Sequence, residues 1–244
     1  MNVKYNTVIV YSSRIYTAIL GLMIIPQLLV HLGTSQFGLI GIFAVIQACL
    51  QILDAGIGGV LTRESIKSRS NIDSFNNFTL IFYKIVYFFL IISVLVIVLG
   101  WFFSTNYALD FLNTTLDRNI VIYSVFSMFI IFAIKYIQGP FRSVLLSYEK
   151  HITLSIIDVI GVTISNPIAL LLIIYYKGDI VTYFTIQVIS SMICSILLYL
   201  CYKIYSNKVK LTLTSSGDVN DFEIKKIIHF AFQLSILSLS LIHI

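Results

Sequence analysis

The sequence predicts an all-α membrane protein, a polytopic bundle of six complete transmembrane helices followed by the start of a seventh. Of its 244 residues 58% are hydrophobic and only 11% are charged, and the mean hydropathy is +0.95. An ordinary soluble domain carries about 25% charged residues, so this composition excludes a soluble globular protein. Apolar runs long enough to span the ~30 Å hydrocarbon core lie at about 7–30, 37–61, 78–103, 119–145, 152–176 and 180–205, and another begins near 227.

Short polar segments separate the apolar runs, as expected for helices that alternate in direction. These segments contain turn-forming residues and are residues 31–36, 70–77, 104–118, 147–151 and 177–179. Arg14 lies within the first run, which is also longer than the apolar core of a cleaved signal peptide. We therefore expect the first run to remain in the protein as a membrane helix.

The charges indicate the orientation and the class of partner. Sixteen Lys and Arg against eleven Asp and Glu give a net charge of +5, too few cations for the basic surface that nucleic acid requires. We expect no nucleic-acid partner, and we expect contact with membrane lipids and with an anionic headgroup or phosphorylated lipid. Because Lys and Arg mark cytoplasmic loops, the sequence predicts a cytoplasmic N-terminus, which leaves only Arg118 and Lys177 outside.

The predicted organisation has three parts. Residues 1–206 form a six-helix lobe, residues 207–226 form a cytoplasmic linker, and residues 227–244 begin a second lobe. The chain ends within an apolar run, and residues 239–244 match one reading frame of a widely used sequencing adapter. These features favour a truncated gene model over a naturally short protein.

Polar residues recur along one face of five predicted helices. A polar group at membrane depth needs a protein partner or a water-filled cavity, although seams of small residues can also serve only to pack helices. Lys135 lies ten residues before the inner end of its run, about 15 Å deep, which indicates a wet cavity. Arg14 and Asp158 lie about 10 Å below the cytoplasmic end, so the two can form a structural ion pair, or Arg14 can bind substrate.

The candidate site is a substrate cavity lined by polar side chains, with prolines in the helices around it as candidate hinges. A positive excess of deep charges favours an anionic headgroup in the cavity, and the prolines remove backbone donors and can kink their helices. The candidate substrate-binding residues are Arg14, Gln47, Lys135, Gln138 and Arg142, and the candidate hinges are Pro26, Pro140 and Pro167.

We expect neither an enzyme nor a metal or cofactor site. The four histidines are scattered at loops and termini, and the sequence contains no paired carboxylates, phosphate-binding loop or nucleophile motif. Cys49, Cys194 and Cys201 lie in apolar runs without metal-ligand spacing, and we interpret them as small core residues.

Three segments carry a likeness to a known family. Residues 32–39, Leu-Gly-Thr-Ser-Gln-Phe-Gly-Leu, resemble the LGxxxFG motif that begins the second helix of polysaccharide flippases. Residues 54–63 resemble that family's D-x-G-x-x-x-x-x-x-R motif, and residues 226–232 are similar to the LKFGxP start of its seventh helix, with Gln233 where proline is common. The chain therefore resembles the Wzx-type O-antigen flippases of the multidrug, oligosaccharidyl-lipid and polysaccharide exporter superfamily.

This resemblance implies one lobe of a two-lobed transporter in the bacterial inner membrane. The whole carrier would move an undecaprenyl-pyrophosphate-linked O-antigen or polysaccharide repeat unit between leaflets by alternating access. Lys135 or Arg14 would offset the pyrophosphate charge, and Asp54 or Asp158 would couple transport to an ion gradient. A polysaccharide polymerase is an expected partner.

Two other functions stay open at this point. A multidrug cation antiporter of the same superfamily would favour carboxylates in its cavity. A non-transporting membrane scaffold would use the polar seams for packing alone. We also expect the 244-residue chain to be inactive without a second lobe.

Overall fold

A computed structural model of the chain describes residues 3–112, 114 and 116–213, with the backbone alone for residues 3–5 and 49–57. Nearly all of these residues are helical, and none of them forms a strand, so the predicted all-α class is confirmed. A 3-10 turn at Ser68–Ser70 follows the first helix, and a π-helical turn at Ile164–Ile168 joins the fifth to the sixth. The described helices are α1 (Val3–Lys67), α2 (Ile72–Asn106), α3 (Ala108–Leu112), α4 (Arg118–Ser147), α5 (His151–Thr163), α6 (Ala169–Tyr176) and α7 (Ile180–Thr212).

Five helical stretches are long and apolar enough to cross a membrane, and the chain is a multi-pass membrane protein. The last four correspond to the predicted runs between 78 and 205. The stretches are Asn6–Ala48, Ile72–Asn106, Arg118–Ser147, His151–Tyr176 and Ile180–Thr212.

α1 contains two crossings that reverse direction near Gly33. Its 65 residues would extend about 100 Å at ~1.5 Å per residue, three times the bilayer core. Gly33 breaks the helical backbone with φ of 75°, a conformation that glycine adopts at no steric cost. The Ile180 N–H donates to Gln36 Oε1 (2.9 Å) at one end of the bundle, whereas Ser65 Oγ lies 2.6 Å from Ser147 Oγ at the other. The two halves of α1 therefore match the first two predicted runs.

The last described helix reaches into the segment that the sequence assigns to the linker. α7 continues to Thr212, so the first six residues of the predicted linker 207–226 extend the helix. The predicted start of a second lobe at 227–244 lies outside the described residues.

α4 lies at the centre of the bundle and packs against α1, α2 and α7. Gly100 of α2 lies directly against Phe129 of α4, where a Cβ atom would collide with the Phe129 side chain. Nearer the other end, Phe82 of α2, Phe141 of α4 and Tyr202 of α7 form a cluster with ring centroids 4.9 to 5.6 Å apart. These contacts fix α4 between its neighbours, and so they fix the side chains that it presents to the cavities described below.

The three prolines lie in different helical surroundings. α1 runs through Pro26 and α4 runs through Pro140 as continuous α-helix. Pro167 lies inside the π-helical turn, where the wider turn accommodates the missing backbone N–H.

The two ends of the bundle carry different charge. At the α4–α5 turn end, in a partly buried contact, Arg69 donates to the Ser147 carbonyl and lies 5.5 Å from the ring centre of Tyr148. Burial raises the pKa of the Tyr148 phenol above its ordinary value, so this side chain stays neutral beneath the guanidinium. The opposite end holds Arg118 and Lys177. The described cations at the α4–α5 turn end are Arg63, Lys67, Arg69, Lys150, Lys203, Lys208 and Lys210.

Candidate functional site

Two polar cavities adjoin each other between α1, α4, α5 and α7. The first, which we call the end cavity, has a volume of about 320 Å³ and lies near the α4–α5 turn. The second, the central cavity, has a volume of about 390 Å³ and lies deeper in the bundle. Thr17, Arg142 and Asp158 line both cavities. Together the cavities extend from His151 at the start of α5 to Ser165 in the π-helical turn, which is about 21 Å at ~1.5 Å per residue.

Lys135 lines the central cavity from the middle of α4. It is twelve residues before Ser147, at a depth of about 18 Å from that end of the helix. Its Nζ lies 5.9 Å from the ring centre of Phe43 on α1, within the range of a cation–π contact. Among the described residues no carboxylate forms an ion pair with Lys135.

Arg142 and Asp158 form an ion pair where the two cavities meet. Arg142 Nη2 contacts Asp158 Oδ1, and Nη1 lies 3.5 Å from Oδ2. Asp158 therefore pairs with Arg142 rather than with Arg14, which is exposed and lines the end cavity. The reason is the hairpin of α4 and α5: Arg142 lies five residues before the end of α4 and Asp158 seven residues after the start of α5, so the two side chains have a similar depth.

The amide of Gln138 forms hydrogen bonds inside the bundle. It lines the central cavity, but its Nε2 donates to the Ser191 carbonyl (3.0 Å) and to Ser195 Oγ (2.9 Å). The side chain thus connects α4 to α7. Gln47 is partly buried on α1 and lines neither cavity, and the side chain of Asp54 is outside those described.

The cavity contains polar groups that were not among the candidate site residues. Gln187 Nε2 donates to Tyr183 Oη (2.9 Å) and lies 3.5 Å from Asn166 Oδ1. Ser190 Oγ donates to the Gly161 carbonyl (2.8 Å), so α5 and α7 lie close together beneath the cavity. Tyr183, Gln187 and Ser190 recur at intervals of three or four residues, and they belong to one of the five polar helix faces that the sequence predicts.

The cavities have a positive balance of charge. Among their described lining residues, Arg14, Lys135 and Arg142 face Asp158 as the sole carboxylate. Charges interact more strongly in a partly enclosed site than in bulk water because the effective dielectric constant is lower. The arrangement therefore favours an anionic ligand. No group of three or more His, Cys, Asp or Glu side chains suited to a metal ion occurs in the described part of the chain.

Two solved structures share this fold. One is a multidrug resistance MATE family transporter of the MOP superfamily in an outward-facing conformation, with a TM-score of 0.68 and 14% identity over 97% of this chain and 51% of that one. The other is a MOP superfamily transporter from Pyrococcus furiosus, described as having a binding pocket of reversed polarity that suggests a different function. It aligns with a TM-score of 0.66 and 15% identity over 97% of this chain and 51% of that one. The chain thus spans about half the length of these two proteins, and at such identities the likeness concerns the fold.

Sequence comparison identifies the family directly. No curated protein sequence matches the chain. The family described as polysaccharide biosynthesis protein matches residues 3–242, nearly the whole chain. Together with the all-helical membrane fold, this match establishes that the chain belongs to the polysaccharide biosynthesis protein family.

Proposed function

We propose that this chain is the first lobe of a flippase for undecaprenyl-pyrophosphate-linked O-antigen or polysaccharide repeat units. The carrier would lie in a bacterial inner membrane with a cytoplasmic N-terminus and would work by alternating access between two lobes. The single observation that carries the proposal is the pair of adjoining polar cavities with more cations than carboxylates, in a member of a polysaccharide biosynthesis family.

The geometry suits a lipid-linked anion. The cavities extend from one end of the bundle to its middle, and cations lie along that distance: Arg14 near the end, Arg142 between the cavities and Lys135 at mid-depth. A pyrophosphate can exchange its hydration for these cations while the lipid tail stays in the bilayer. Guanidinium groups bind phosphate oxygens in pairs, which favours Arg142 as a positioning contact.

The charge at the two ends supports the proposed orientation. Seven described cations lie at the α4–α5 turn end and two at the other, and cytoplasmic ends carry the excess of Lys and Arg. In this orientation the end cavity opens toward the cytoplasm, where a lipid-linked precursor would enter. A polysaccharide polymerase as partner, Asp54 or Asp158 as coupling carboxylate, Gln47 and Gln138 as substrate contacts, and the three prolines as hinges remain parts of the proposal.

The two alternatives fit the cavity less well. A multidrug cation antiporter shares the fold, but its cationic substrates would meet Arg14, Lys135 and Arg142 with one carboxylate among the described lining residues. A scaffold would use its polar seams for helix packing alone, whereas Lys135 and the Arg142–Asp158 pair also line the central cavity.

The proposal is tested by replacing Lys135 in the full-length gene of the organism that carries it. We expect Lys135→Met to abolish surface polysaccharide while the protein stays in the membrane, because the deepest cavity cation is lost. Lys135→Arg keeps the charge and should retain part of the polysaccharide. Normal polysaccharide with Lys135→Met would contradict the proposal, as would a drug-export defect in that variant without a glycan defect.

A further inference from the structure

The Arg142–Asp158 pair stands at the junction of the two cavities. Both side chains line the end cavity and the central cavity, and Thr17 completes the shared wall from α1. Lys135, Gln187 and Cys194 line the central cavity and do not line the end cavity. The ion pair therefore lies on the wall that the end cavity shares with the cavity of Lys135.

We propose that this pair is a counter-ion gate, in which an anionic phosphate group takes the place of the Asp158 carboxylate at Arg142 before it reaches Lys135. This inference rests on the proposed function and adds a selectivity role to two residues of the same site. At rest Asp158 is the counter-ion of Arg142 at the wall shared by the two cavities. When phosphate arrives, Arg142 exchanges one anion for another and keeps a counter-ion throughout. The displaced Asp158 carboxylate, which is 44% exposed, is then solvated by the water of the cavities.

The exposure of the pair makes this exchange feasible. The side chains of Arg142 and Asp158 are 35% and 44% exposed, so both groups remain in contact with the space of the cavities. Ion pairs that stay accessible to solvent are weak, whereas a fully enclosed pair would resist separation. Phosphate offers the guanidinium the same two-oxygen geometry as a carboxylate, with a larger charge.

The surrounding charges make the gate selective. The titratable and charged groups facing the pair from the described elements are Arg14 of α1, Lys135 of α4, His151 of α5 and Cys194 of α7. A cation that displaced Arg142 from Asp158 would lie among three fixed positive charges, those of Arg14, Lys135 and Arg142. An anion meets one fixed negative charge, Asp158, which it displaces. The same pair thus admits anions and rejects cations.

Cys194 provides a natural reporter beyond the gate. It lines the central cavity, while Ser13 lines the end cavity. The experiment uses the full-length protein in membrane vesicles with Cys49→Ser and Cys201→Ser, so that Cys194 is the thiol measured in this lobe. An anionic methanethiosulfonate, carrying a sulfonate, and a cationic one, carrying trimethylammonium, are compared by their rates of modification, with and without inorganic pyrophosphate.

We expect the anionic reagent to modify Cys194 faster than the cationic one, and pyrophosphate to slow the reaction. Asp158→Asn should raise the anionic rate several-fold because Arg142 no longer has a competing carboxylate. Arg142→Gln should remove the preference for the anion. Asp158→Glu keeps the pair and should behave as the parent does, which separates the gate from any general damage to the fold.

Several results would overturn the gate. One is a Cys194 reaction whose charge preference is the same in Asp158→Asn, Arg142→Gln and the parent. Another is an equal change in charge preference at a reporter introduced by Ser13→Cys, measured in a background that also contains Cys194→Ser. The variants would then alter the electrostatic potential of both cavities, and the pair would not act as a gate. A third is a Cys194, which is buried, that reacts with a small neutral methanethiosulfonate but with neither charged reagent in any variant, since the central cavity would then be closed to ions.

The failure of the gate and the failure of the proposed function are distinguishable. If Lys135→Met abolishes surface polysaccharide but the Cys194 preference does not respond to the pair, the gate is wrong and the flippase stands. If the preference responds while surface polysaccharide is normal in Lys135→Met, the gate is supported and the carried anion is another one.

Discussion

Lys84 and Lys135 lie at the same depth of the bundle, yet they face different surroundings. Lys84 is twelve residues after the start of α2 at Ile72, and Lys135 is twelve residues before the end of α4 at Ser147. Both ends lie on the same side, so each lysine is about 18 Å from it. Lys84 is exposed on the outer surface of the lobe and lines neither polar cavity, whereas Lys135 lines the central cavity. The two residues form a matched pair for separating cavity chemistry from membrane insertion.

Replacing Lys135 should stabilise the lobe. A charge at the centre of a membrane helix costs about 2.5–3.5 kcal/mol on insertion scales, and no described carboxylate pairs with this one. We therefore expect Lys135→Met to raise the melting temperature in detergent even as it removes function, which is the pattern of a residue kept for its activity. A clear drop in melting temperature would instead identify Lys135 as a structural residue.

Gln138 should behave in the opposite way. Its amide hydrogen bonds to Ser191 and Ser195 join α4 to α7 at a buried position. Gln138→Leu removes both bonds, and we expect a loss of about 1–3 kcal/mol in the free energy of unfolding. Gln27→Leu, at an exposed position on α1, is the control and should leave the melting temperature unchanged or higher. Equal melting temperatures for the two variants would show that the Gln138 hydrogen bonds do not contribute to stability.

The contact between Gly100 and Phe129 sets the spacing of α2 and α4. A Cβ atom at residue 100 would collide with Cβ and Cγ of Phe129, which lie near the α4 backbone and cannot easily move. We expect Gly100→Ala to destabilise the protein by about 1–3 kcal/mol, the usual cost of overpacking. Gly21→Ala adds the same methyl group where nothing lies within 4 Å, and it should be neutral or stabilising. Chemical or thermal unfolding in detergent compares the two.

The proposed orientation has a direct labelling test. Lys177 follows α6 at one end of the bundle, and Lys208 lies in the last turns of α7 at the other. On intact cells, a maleimide that does not cross the inner membrane should label the Lys177→Cys variant and leave Lys208→Cys unlabelled until the membrane is permeabilised. The reverse pattern would place the N-terminus outside, and the end cavity would then open away from the cytoplasm.

The spans could be predicted because their signal is local. Each crossing needs an apolar run of a certain length, and length can be counted along the sequence. The reversal inside α1 was also visible as the polar segment 31–36, although only the backbone angles at Gly33 show which residue breaks the helix. The end of α7 at Thr212 was not visible, because polar residues such as Asn207 and Lys208 can extend a helix beyond the bilayer.

The partners within the site could not be predicted in the same way. Depth along a helix follows from residue number, and it makes both Arg14 and Arg142 possible partners for Asp158. The choice between them depends on which helices are neighbours and on how each is rotated, which the sequence of a single helix does not contain. The same limit applies to Gln138, because the sequence does not show whether its amide binds α7 or faces the cavity.

The most direct test of the account measures translocation of a pyrophosphate-linked oligosaccharide lipid by the full-length carrier in proteoliposomes. The quantity is the rate at which the sugar headgroup becomes accessible to a lectin or glycosidase on the opposite side. We expect Lys84→Met to transport at the parental rate and Lys135→Met to be at least about tenfold slower, the effect of losing about 1.4 kcal/mol of interaction with the anion. Equal rates for the two variants would contradict the claim that the cationic cavity carries the phosphate group.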